Sequence, residues 1–328
     1  MNQAPNRSPD RRGDLDLGER GGGRHRLLLS RQLLAVSGGV LTVLLITLAV
    51  QLFAGGVVAA FSPSLATDTL FLTLLSGISM YLVAMPFSYF VFRLGKPYAE
   101  PARGRLSVPA FFGLLVISFG IAVAGSLVSD RVQALISLLT GEAAKNPVQE
   151  MTSNTPFWTN LLVYGLLAPI MEEIVYRKIV IDRLRPFGDG TAVVASGLIF
   201  GLVHGNLSQV FYATLFGLLA GIVYVYTGKL RYTLALHVAV NLVGGVFTAE
   251  ANKLLGTGSA VDLLYAGYSA WLIFCLAATP VLAAVLFSKY SRAERKPECM
   301  PPRQTLAFFV KNPGIVALAA MLVLLFLV

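Results

Sequence analysis

The chain has 328 residues, a formal net charge of +9, 55% hydrophobic and 13% charged residues, and a mean hydropathy of +0.70. That balance is too apolar and too poor in charge for an ordinary soluble enzyme, and it marks a polytopic membrane protein. The basic excess falls in short clusters between apolar runs, without interleaved aromatics or a binding module, so the expected partner is the lipid bilayer and not nucleic acid.

Residues 1–32 are rich in Arg, Asp and Gly, have almost nothing to bury, and are expected to form a disordered basic arm. A span needs about 20 mostly apolar residues. On that rule candidates fall at about 33–60, 70–92, 106–128, 155–176, 190–206, 209–227, 232–249 and 264–287, with a short, tilted or partial ninth at 313–328. Val132–Leu139, apolar on one side only, is expected at a membrane interface between the third and fourth spans. The expected fold is therefore all-α, a polytopic transmembrane helical bundle of about eight spans plus a ninth.

Lysine and arginine in the loops test this order independently. Arg24, Arg26 and Arg31 precede the first span, and the turn around Asp68 has no basic residue. Arg93, Lys96, Arg103 and Arg105 follow the second span, and the 129–154 loop is sparsely charged. Lys178, Arg183 and Arg185, then Lys229 and Arg231, then Lys289, Arg292, Arg295 and Lys296 alternate with Gly205-Asn206 and the near-neutral 250–262 loop. A cytoplasmic N-terminus follows. The richness in Ala, Gly, Leu and Arg fits a bacterial inner membrane. The cysteines, Cys275 and Cys299, have neither a disulfide framework nor zinc-knuckle spacing.

Glu172, Glu173 and Arg177 interrupt the apolar run of the fourth span. Each such charge near a helix centre costs about 2.5 to 3.5 kcal/mol on the insertion scale, so it must face protein, water or chemistry. Glu173 and Arg177, four apart, pair on one face, whereas Glu172 points about 100° away and is free to face the bundle interior. Pro169 cannot donate to the carbonyl of Gly165, so a kink or loosened turn is expected just before the acidic pair. Of the three histidines, His204 and His237 fall within spans, and His237 shares a helix face with Asn241. Counted along its helix, His204 lies deeper than the others. Gly197, Gly201, Gly205, Gly217 and Gly221 offer small faces for close helix packing.

A single intramembrane His is ordinarily a packing residue, and a Glu–Arg pair is ordinarily a clamp; the clamp role is expected for Glu173 and Arg177. Glu, His, and His plus Asn on three separate helices are harder to explain as packing. Such a set can hold a water for attack on a carbonyl, with Glu as base and His and Asn as donors to the oxyanion, which is the chemistry of amide hydrolysis. Ser208 and Cys275 are weak nucleophile candidates. The same Glu and two His could instead bind zinc, although the His-Glu-x-x-His helix is absent. A non-enzymatic scaffold, or a peptide-handling transporter that keeps the polar cluster for structure or proton coupling, is the competing reading.

Ala168-Pro-Ile-Met-Glu-Glu-Ile-Val-Tyr-Arg177 resembles the Glu-Glu-x-x-x-Arg motif of the CPBP family, the CAAX prenyl protease and bacteriocin-processing (Abi) intramembrane endopeptidases. Phe200-Gly-Leu-Val-His204 resembles its Phe-x-x-x-His motif, and His237-Val-Ala-Val-Asn241 its His-x-x-x-Asn motif, in the same order. Lys178, where many relatives have Gly, is a departure. The resemblance covers about 155–250. Together with composition and the span pattern, it leads to an expected division into the 1–32 arm, N-terminal spans and interfacial segment in 33–150, a catalytic core in 151–250 and C-terminal spans in 251–328. It implies an α-helical intramembrane protease whose cavity opens toward the cytoplasm or inner leaflet. Its substrate would be a membrane-bound protein or peptide. By the same likeness Glu172 is the base that activates water, His204 assists, His237 and Asn241 stabilise the oxyanion, and Glu173 and Arg177 support them. No cofactor is expected, with zinc as the alternative.

Overall fold

The computed structural model describes residues 19–98, 104–142, 146–256, 258–290 and 301–327, and among them every regular element is a helix. Helix α1 (Glu19–Phe61) starts inside the segment expected to lack structure; the rest of that arm, 1–18, lies outside the described residues. Asp68 caps α2 (Thr69–Phe92) by accepting the Phe71 N–H at 2.8 Å. Ser107 caps α3 (Val108–Thr140), which stops at Gly141, whose φ of +77° lies in the left-handed region that favours glycine. Val132–Leu139, expected at an interface after the third span, forms the end of α3. No Gly or Pro stands between Gly125 and Gly141 to break the helix.

The remaining helices are α4 (Pro147–Ser153), α5 (157–184), α6 (Asp189–Leu202), α7 (Leu207–Thr227), α8 (Leu230–Leu254), α9 (Ser259–Tyr290), α10 (Pro302–Val310) and α11 (Pro313–Leu325). Among the described residues six helices, α1, α2, α3, α7, α8 and α9, are long and apolar enough to cross a membrane. The pair α10–α11, bent by 74°, would make a broken seventh. The expected polytopic helical bundle is present, and the tally of eight plus one differs from this count at two helices. Helix α5 has the length, but its charges at 172–178 remove it from a count by composition. Helix α6 has 14 residues, about 21 Å of rise, against the roughly 30 Å of a hydrocarbon core.

Helix α5 occupies the centre, with Tyr176, Arg177, Val180, Ile181 and Leu184 all buried against α6, α7 and α8. Helix α1 packs on α2 and α11, while α3 packs on α7 and α9. The charges of the basic loops gather at one end of this bundle. Arg183 Nε donates to Phe92 O at 2.6 Å, Gln32 Nε2 to Lys96 O at 2.7 Å, and Tyr98 N to Asp182 O at 2.7 Å. Lys178 and Arg185 pair with Asp182 and Asp189 at 2.8 and 2.9 Å.

Among the described residues four widened π-helical stretches interrupt the regular turns: Ile78–Ala84, Leu161–Leu167, Glu173–Ile181 and Asn241–Phe247. The first two end just before Pro86 and Pro169, which lack the N–H that a regular turn would direct at Leu82 and Gly165. The loosened turn expected before Glu172 is therefore present, and a second follows it.

Helices α6 and α7 form a close hairpin. A methyl group on Gly217 would sit 3.0 Å from the Cα of Gly197, and one on Gly201 would strike Thr214 Oγ1 and lie 2.8 Å from Val210 O. Gly201→Ala is accordingly expected to force the two helices apart, costing about 1–3 kcal/mol. Thermal unfolding of the purified variant beside the parent measures that loss, and an unchanged midpoint would mean the hairpin has slack.

Candidate active site

Glu172 sits in the middle of α5, 5% exposed, with its two oxygens turned to different neighbours. Tyr81 Oη on α2 donates to Oε1 at 3.0 Å. Oε2 faces His237 Nε2 on α8 at 3.6 Å, just beyond hydrogen-bond length. The other ring nitrogen, Nδ1, donates to Glu173 Oε1 at 3.0 Å, because a carboxylate can only accept. Arg177 Nη2 lies 3.1 Å from that same oxygen, and Arg177 is fully buried with its guanidinium 4.6 Å from the centre of the Phe200 ring. Glu173 and Arg177 thus pair as the four-residue spacing predicts. In addition, Glu173 holds the imidazole whose far edge meets Glu172.

Phe200 ties the histidines together. Its ring meets His204 edge-on at 5.1 Å and His237 at 5.7 Å, between centroids, and stands against Tyr176 at 5.2 Å. His204 lies in the tight turn that joins α6 to α7, followed by Gly205 at φ +64° and by Asn206, which caps α7. The short α6 explains the depth problem: its end turns inside the bundle, beside the other polar groups. His204 Nδ1 donates to Phe200 O at 2.7 Å, so both histidines keep Nδ1 committed and Nε2 available. Asn241 Nδ2 donates to Tyr164 O at 2.9 Å, in the π-helical stretch of α5, and retains a second amide hydrogen.

Glu172, His204, His237 and Asn241 line one cavity of about 570 Å³. It runs from Glu172 to Asn146 and Gln149 at the start of α4 and to Asn252 on α8. Those residues lie at the end of the bundle away from the basic loops, where Lys253 Nζ meets Thr155 O at 3.2 Å and Thr73 meets Thr155 at 3.1 Å. The cavity lining therefore extends toward the end of the bundle away from the basic loops. The cavity also reaches between Ser76 and Met80 of α2 and Ala122 and Ser126 of α3, two helices that do not form a packed pair.

Zinc would need three converging ligands. Among the described residues no group of three His, Cys, Asp or Glu side chains is arranged to hold a metal ion. Glu172, with one oxygen on a tyrosine and the other beside His237, does not complete such a set with His204. Of the weak nucleophile candidates, Ser208 donates to Gln133 Oε1 at 3.4 Å, and Cys275 is buried in α9 against Gly120. Cys299 lies outside the described residues.

Tyr81 was not singled out from the sequence. Its signal there is faint: Ser79, Tyr81 and Ser88 share the second apolar run just around Pro86. Phe200 stands in the sequence as the first residue of the Phe-x-x-x-His resemblance, but its contact with two imidazoles and a guanidinium emerges only in the fold.

Fold and site together define a polytopic helical membrane protein with a buried carboxylate–imidazole centre at the inner end of a cavity. Residues 154–243, which hold that centre except for Tyr81, match the family model for the type II CAAX prenyl endopeptidase, Rce1-like, and so carry a domain of the CPBP family. At the level of that family the match supports a CAAX-protease-like intramembrane endopeptidase acting in the lipid bilayer. No curated protein and no solved structure matches the chain.

Proposed function

We propose that the chain is a glutamate-dependent intramembrane endopeptidase that hydrolyses a peptide bond of a membrane-bound protein or peptide. The observation that carries this reading is the approach of Glu172 Oε2 to His237 Nε2, 3.6 Å, at the inner end of the cavity. A water held by Glu172 and His204 Nε2 gives its proton to Glu172 as its oxygen adds to the scissile carbonyl. Glu172 passes that proton to His237 Nε2, whose positive charge Glu173 balances through Nδ1. His237 and the free amide hydrogen of Asn241 then donate to the oxyanion. Collapse expels the amine, which takes the proton back, and leaves a carboxylic acid. Glu173 and Arg177 act through His237 and do not touch the substrate.

The direct test uses the full chain in lipid nanodiscs with an internally quenched farnesylated peptide and its unprenylated counterpart. The parent is expected to cut at least one of them; cleavage of neither would remove both as models of the substrate. Because the polar groups do not fit a zinc site, cleavage is expected to survive prolonged treatment with 1,10-phenanthroline. A loss restored by added zinc would reverse the metal-free assignment.

We place the chain in a bacterial inner membrane with a cytoplasmic N-terminus, which puts the Asn146 and Gln149 end of the cavity on the far side. A bilayer-embedded substrate would enter between α2 and α3. In right-side-out vesicles a membrane-impermeant maleimide is expected to label Gln149→Cys above the parent background, with little label in inverted vesicles. The reverse pattern would invert the proposed topology.

A further inference from the structure

We infer that Tyr81, on the second span and outside the matched 154–243 segment, is a positioning residue for the Glu172 carboxylate; this rests on the reading of Glu172 as the base. A buried carboxylate on a flexible stem has no reason to keep one oxygen on its reaction partner unless the other is held. Tyr81 Oη supplies that hold at 3.0 Å on Oε1, and the opposite oxygen is the one that meets His237. The hydroxyl is itself fixed: Tyr81 is 8% exposed and lies in the widened Ile78–Ala84 stretch ahead of Pro86. The neighbouring turn of the same stretch is pinned to α1, where Gln51 Nε2 donates to Ser79 Oγ at 3.3 Å. Two consequences follow. The site is incomplete without α2, so the matched segment alone does not contain the whole active site. The same tyrosine lines the cavity beside Met80 and Ser76, so a substrate entering between α2 and α3 passes the residue that aims the base.

The test is Tyr81→Phe in the full chain in nanodiscs, which removes the hydroxyl and keeps the ring. Hydrogen bonds to charged groups are strong enough that kcat on the quenched peptide is expected to fall about 10- to 100-fold with KM and the unfolding midpoint unchanged. In a Glu172→Asp background, where the shortened side chain has already lost the bond, the same substitution is expected to cost less than about threefold, because coupled groups are not additive. Equal losses in both backgrounds, or a kcat within about twofold of the parent, would overturn the inference. A readout free of substrate is the carboxylate band that disappears in parent-minus-Glu172→Gln infrared spectra. It should move in Tyr81→Phe, and an unmoved band rejects the hydrogen bond. If Glu172→Gln itself stays active, the base assignment fails; if it is inactive and Tyr81→Phe is normal, only the role of Tyr81 fails.

Discussion

Glu172→Gln is expected to lower cleavage by about 10²- to 10⁴-fold, the range a positioned general base contributes, while the protein stays folded. Glutamine has the same shape, and its amide oxygen can still accept from Tyr81 as Oε1 does in the parent. What it cannot do is take a proton from water. The substitution also removes a charge from a residue 5% exposed, so the unfolding midpoint is expected to hold or rise. Parallel measurement of turnover and thermal unfolding in nanodiscs separates the two effects. Cleavage within tenfold of the parent would show that Glu172 is not the base.

Arg177→Met is expected to be the most damaging single change to stability. It deletes the guanidinium that lies 3.1 Å from Glu173 Oε1 and 4.6 Å from the Phe200 ring, and leaves a carboxylate 1% exposed without its guanidinium partner. Removing one member of a buried ion pair typically costs about 3–5 kcal/mol, and replacing both members costs far less. Arg177→Met with Glu173→Gln should therefore recover most of the folded yield. It should not recover activity, because a glutamine at 173 can still accept from Nδ1 of His237 but carries no charge to balance the protonated imidazole. Yield and unfolding midpoint report the first effect, and turnover of the refolded double variant reports the second. Full activity in the double variant would confine Glu173 to a structural role.

The charged and imidazole residues were legible in the sequence because hydrocarbon makes them conspicuous: each is costly among apolar neighbours, and few such residues occur there. Glu173–Arg177 and His237–Asn241 were legible as pairs because a four-residue spacing sets both side chains on one helix face. Pro169 announced a disturbed turn by its missing donor. By contrast, the shortness of α6 was hidden by an apolar run that continues to His204. Hydropathy scores such a run as a span, whereas the Gly205 turn at φ +64° ends it early. At Val132–Leu139 the one-sided pattern gave no sign that the segment continues the preceding helix without a break.

Local pattern along the chain was enough to determine the helical membrane architecture, the gathering of basic loops at one end, and the polar residues that needed an explanation. Those properties depend on spacing within one helix and on the cost of charge in lipid. Tertiary structure alone decided that Tyr81 reaches Glu172, that Glu173 grips His237, that Phe200 joins the two histidines, and that one cavity links Glu172 to Asn146 and Gln149. Each of these joins residues on different helices, and helix rotation, depth and neighbour choice are set by packing across the bundle and not by any periodicity in the sequence.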